Sequence, residues 1–186
     1  MANVKGIVLL NAKRFTVDAF GDEGWQRVLA ELPAGDRDTL GGAVSMGWYE
    51  MGVYDHLHAT MERVLGGDKR GALMRRLGRY CAEHDLTTVH RAFFRLASPA
   101  FLMEKYGDFW RRYQDSGAWS VSRDGETRVH AALAGWASNE DACCARLGAY
   151  IGRMIELVVR KDVRVTHAKC HVRGDARCEY VLDWGS

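Results

Sequence analysis

Apolar side chains recur at helical intervals through the first two thirds of the chain and then switch, twice, to strict alternation. Between residues 4 and 32, Ile7, Leu10, Phe15, Phe20, Trp25, Val28 and Leu29 recur at roughly helical intervals interrupted at Gly21, which predicts two short helices. A glycine-containing segment follows Pro33, and the helical pattern resumes over residues 48–65. After Gly66-Gly67, Asp68 is a candidate cap for a helix over 68–83, with Leu73, Leu77 and Tyr80 on one face and Arg75, Arg76 and Arg79 towards water. Residues 86–116 carry large apolar groups at helical spacing, with Ser98-Pro99 as the junction between two helices.

At Gly117 the period becomes two. Trp119 and Val121 alternate with Ser120 and Ser122, Asp124-Gly125 supplies a hairpin turn, and Val129, Ala131 and Leu133 alternate again. Asn139 opens a further helix to about Val159. Val163, Val165 and His167 then alternate, Arg173-Gly174-Asp175 turns the chain, and Cys178, Tyr180, Leu182 and Trp184 alternate as the last strand. Helices, hairpin, helix, hairpin is the order of an α+β domain: a helical layer packed on a four-stranded antiparallel sheet formed by two C-terminal hairpins.

Composition narrows the function classes. With 186 residues, 47% of them hydrophobic, and two prolines, the chain is expected to form one domain over 1–186. A formal charge of +2 is too weak for a dedicated nucleic-acid binder, and nucleic acid is not an expected partner. The arginines at 70, 75, 76, 79, 111 and 112 are interleaved with acids and are expected to form a solvated face. His56 and His58 diverge by about 200° on a helix, cannot share one ion, and are expected at the surface. Residues 7–10 are too short an apolar run for a membrane span or an export signal, so a cytoplasmic protein is expected. Five cysteines then read as thiols or metal ligands, a Cys170–Cys178 disulfide being the alternative. No phosphate loop, dinucleotide fingerprint, His-Glu-x-x-His or nucleophile elbow is present, and an enzyme is not expected.

Two stretches resemble known families. The segment from His167 through Cys170, Gly174-Asp175 and Cys178-Glu179-Tyr180 to Leu182 resembles the end of 4-vinyl-reductase-type domains, and the helix with Gly148, Tyr150, Gly152-Arg153 and Glu156 is similar to the one preceding it there. The opening, from Lys5 to Asn11 and from Phe20-Gly21 to Trp25 and Leu29, resembles haem nitric-oxide/oxygen-binding domains. These families share a fold with Golgi transport-particle subunits. The resemblance implies a sensor or regulatory module that binds a small apolar or aromatic molecule and signals through protein contact, as a homodimer or with a separate signalling protein.

It also implies sites. In aromatic-effector sensors of this type a structural zinc sits on the hairpin cysteines, an acidic residue three before the first, and a helix cysteine; here Cys170 and Cys178 match, Cys144 or its neighbour Cys143 supplies the helix thiol, and His167 takes the acidic place. Trp119 matches a pocket tryptophan of such sensors, and His90 and Phe94 lie upstream as further ligand-binding candidates. His84 and His90 are the best-placed axial haem ligands. The haem family's Tyr-x-Ser-x-Arg propionate clamp is missing, however, and haem is not expected. The rival functions are a haem or other tetrapyrrole sensor or carrier, and an assembly scaffold without ligand.

Overall fold

Both alternating stretches form hairpins in the computed structural model, which describes residues 1–88 and 98–185. The first pairs β3 (Ala118–Arg123) with β4 (Arg128–Ala134), and the second pairs β5 (Arg164–Lys169) with β6 (Cys178–Asp183). β4 and β6 join the hairpins into one antiparallel sheet of order β3-β4-β6-β5. Alternation decides which face is buried: Val129, Ala131 and Leu133 on β4, and Cys178, Tyr180 and Leu182 on β6, point into the core. The outward residues between them stay in contact with water. A bulge between His167 and Lys169 and the left-handed Gly174 (φ 99°) reshape the second hairpin's turn, which a short 3-10 segment, His171–Arg173, occupies.

Before the sheet come five described helices: α1 (Gly6–Ala30), α2 (Ala34–Gly41), α3 (Met51–Leu65), α4 (Ala72–Thr88) and α5 (Pro99–Tyr113). α6 (Asp141–Val159) lies between the hairpins. The expected break at Gly21 is a kink inside α1, where φ is 71°. Ser98 caps α5 by accepting from the Phe101 amide, with Pro99 at the first helical position. Trp48–Glu50 is not the start of a helix but a three-residue strand, β2, paired with β1 (Asn3–Lys5), too short to leave a period of its own. Asp68 does not cap α4. The Glu62 carboxylate reaches over from α3 and accepts from the Gly71 and Met74 amides instead, so the helix starts four residues later.

Glycine brings α6 close to its neighbours. A Cβ at Gly148 would lie 3.1 Å from the Tyr180 ring and one at Gly152 2.4 Å from Val165, so these two positions let α6 lie down on β5 and β6. On the other side, a Cβ at Gly78 of α4 would lie 2.2 Å from the Arg146 carbonyl oxygen. α6 is thus clamped between α4 and the sheet, and it carries residues of both sites described next. Among the described residues no helix is long and apolar enough to cross a membrane.

Candidate functional site

Cys144 faces the sheet from the second turn of α6, directly over the turn of the second hairpin. Its Sγ lies 3.8 Å from that of Cys178 and 3.8 Å from that of Cys170. His167 completes the group: one ligand atom from each of Cys144, His167, Cys170 and Cys178 lies within 4.8 Å of all the others. The edge of a tetrahedron with metal–sulfur arms of about 2.3 Å is about 3.8 Å, so the Cys144 sulfur already stands at the spacing a zinc ion requires from both hairpin sulfurs. Cys143, the other helix candidate, points away and donates to Asp55 at 3.5 Å. All five cysteines are free thiols, and the disulfide alternative is not formed. Cys170 lies one residue beyond the last ladder pair, Lys169–Glu179, so its thiol turns inward with the Cys178 thiol.

The surroundings favour thiolate at this point. The Cys144 thiol, then His167 and His171, pull the Cys178 thiol down, while the same contact and burial push Cys144 up. His167 stacks on Tyr180 with ring centroids 4.4 Å apart, and its Nε2 is buried without a partner. His171 was not foreseen. Its Nδ1 is 3.0 Å from the Cys178 Sγ and its Nε2 bonds the Ser138 carbonyl, so it ties the cluster to the loop before α6. Its adjacency to Cys170 was the only signal in the sequence.

A second site lies between the helices. A cavity of about 110 Å³ is walled by Asn11 of α1, Tyr54 of α3, Asp85 of α4, Trp110 of α5, Trp136, and Arg146 and Tyr150 of α6, among others. Arg146 is 8% exposed; its Nη1 donates to Tyr54 Oη at 3.1 Å, its Nη2 to Cys81 Sγ at 3.7 Å, and its Nε has no partner. Asp85 accepts from Asn11 Nδ2 at 3.3 Å and Tyr150 Oη at 3.2 Å; burial pushes its carboxyl upward against those bonds and the Arg146 charge. His58 is not at the surface as expected but fully buried beside Tyr54. Its Nδ1 bonds the Tyr54 carbonyl at 2.7 Å, and burial, then the Arg146 charge, lowers it to about 3. Arg146 stands in the apolar stripe of α6, three after Cys143 and four before Tyr150, and a charge in such a stripe was the available signal.

Trp119 is not in this cavity wall. It packs edge-on against Tyr106 and Trp110, behind the wall, with its indole N–H buried and unpartnered. His90 and Phe94 lie outside the described residues. His84 contacts Arg14 and stacks on Tyr80, away from the cavity wall. The arginine face is solvated as expected, with Arg79 paired to Glu156 and Arg70 to Asp141.

No protein-family model and no curated protein matches the sequence. Solved structures do match. An S. oneidensis H-NOX protein in its Fe(II) ligation state, carrying three substitutions, superposes with a TM-score of 0.76 at 11% identity, over 98% of this chain and 96% of that one. The Fe(II) unliganded H-NOX protein of K. algicida gives 0.74 at 10% identity, over 98% and 97%. A structure described as probing haem distortion in the H-NOX family gives 0.68 at 9% identity, over 98% and 95%. The chain has the H-NOX fold.

That finding corrects the expectation against haem. Absence of the Tyr-x-Ser-x-Arg clamp removes one way of holding propionates, but the structures that share this fold include an H-NOX protein in its Fe(II) state and one described as probing haem distortion. The described cavity wall offers tyrosines and Met154 as donors of the axial type, with no histidine or cysteine. At about 110 Å³ it is close to the size of an apolar cavity that accepts benzene, about 150 Å³, and a porphyrin would require the helices to part.

Proposed function

We propose that residues 1–186 form one non-catalytic sensor domain that holds a ligand in the cavity around Arg146 and reports its presence through protein contact, either with a second copy or with a separate signalling protein. The observation that carries this reading is the superposition on H-NOX structures along 98% of the chain. Haem is the occupant those neighbours favour. The size of the cavity favours a second reading, a ligand with a single aromatic ring. In either case Arg146 supplies fixed positive charge and Trp110 and Trp136 supply apolar faces.

Cys144, His167, Cys170 and Cys178 would hold zinc, which supplies cross-linking of α6 to the second hairpin and no chemistry on a substrate. His171 would donate to the Cys178 sulfur from outside the ligand set.

Titration of the purified protein with haem tests the first occupant. A saturable one-to-one complex with a Soret band distinct from free haem supports it. Absence of that band, together with saturable quenching of tryptophan fluorescence by a one-ring aromatic compound, supports the second.

A further inference from the structure

A buried guanidinium without a carboxylate partner sits in the wall of the cavity. Among the described residues Arg146 touches a phenol and a thiol but no acid, and its Nε points at nothing. Arg146 keeps its proton at any working pH, so the charge cannot be removed by titration. Asp85 shares the wall, but its two oxygens are engaged by Asn11 and Tyr150.

Resting on the reading that this cavity holds a ligand, we propose that the ligand carries a carboxylate seated on Arg146, with a flat apolar body against Trp110 and Trp136. A carboxylate is planar and anionic, so it satisfies the free guanidinium edge and neutralises the charge together. A neutral phenol or carbonyl would offer an acceptor and leave the charge uncompensated. A free aromatic acid of one ring supplies this chemistry at the size the cavity takes as it stands.

The test is a matched series on the purified wild-type chain, read by calorimetry and tryptophan fluorescence. Benzoate is compared with neutral benzamide. The expected result is that benzoate binds at least about tenfold more tightly than benzamide. That preference should disappear in Arg146→Gln and return in part in Arg146→Lys, each checked by thermal unfolding. If Arg146→Gln does not fold, the wild-type series still decides. Equal binding of benzoate and benzamide overturns the carboxylate while leaving the cavity as a ligand site. No binding by either probe overturns the carboxylate and the one-ring ligand reading together.

Discussion

Replacing Gly78 by alanine should separate α4 from α6, because the new Cβ would lie 2.2 Å from the Arg146 carbonyl oxygen and 3.0 Å from Ala149 Cβ. Ordinary contact begins near 3.4 Å, so the helices must part by about 1 Å. Neither obstacle is the end of a flexible side chain that can swing aside. A gap of that size forfeits about a quarter to a half of each dispersion contact across the interface, where Leu77 and Cys81 are fully buried. Overpacking strain of this kind costs about 1–3 kcal/mol or more, and helix propensity returns about 1 kcal/mol of the combined loss. The net expectation is destabilisation of about 2–4 kcal/mol, which for a chain of this size is about 5–15 °C in Tm. Gly52 of α3 provides the control: nothing lies within 4 Å of its added Cβ, and Gly52→Ala should stabilise by about 0.5–1 kcal/mol. Urea unfolding with a common m-value measures both. A Gly78→Ala variant within about 0.5 kcal/mol of wild type would refute the close helix crossing, and with it the placement of Arg146 against the cavity.

Three further outcomes follow from the same contacts. Asp55 accepts from Ser138 Oγ at 2.6 Å and the Asn139 amide at 2.9 Å, so Asp55→Ala should cost about 2–4 kcal/mol in urea unfolding and Asp55→Asn less. His58 is held neutral, its affinity for protons lowered to about 3 by burial and then by Arg146. Between pH 6.5 and 3 the unfolded chain therefore binds the extra proton, and His58 makes stability fall by about 1.4 kcal/mol per pH unit as the pH drops through that window. His58→Gln should show a correspondingly shallower acid slope, and an unchanged slope would contradict neutral burial. Zinc added to metal-free protein should raise Tm and protect three of the five thiols from a thiol reagent under native conditions; a Cys144→Ser variant should lose both effects, and an unchanged Tm in the wild-type chain would contradict the metal site.

Much of the fold was legible because each hairpin declared itself twice, by alternation and by a Gly-Asp or Asp-Gly turn. The Cys and His cluster was legible for a related reason: His167, Cys170 and Cys178 belong to one hairpin, so local spacing brings them together, and only Cys144 arrives from another element. What escaped were features set by distant contacts. The start of α4 depends on a carboxylate of α3, and β1 and β2 are three residues each, below the length at which a period can be recognised. His58 reads as a surface histidine until Tyr54 and Arg146 close over it. Arg146 itself is one charge in an apolar stripe, and nothing local distinguishes a cavity residue from an arginine that reaches solvent.

The central claim, that the domain carries a ligand around Arg146, is tested most directly by native mass spectrometry of protein expressed with haem and zinc supplied, repeated after denaturation. The account expects a mass above the 20.9 kDa chain that disappears on denaturation. About 65 Da of it belongs to zinc, and the remainder to haem or, when benzoate is added, to one aromatic acid. A chain that flies bare under native conditions, with benzoate present, would contradict it.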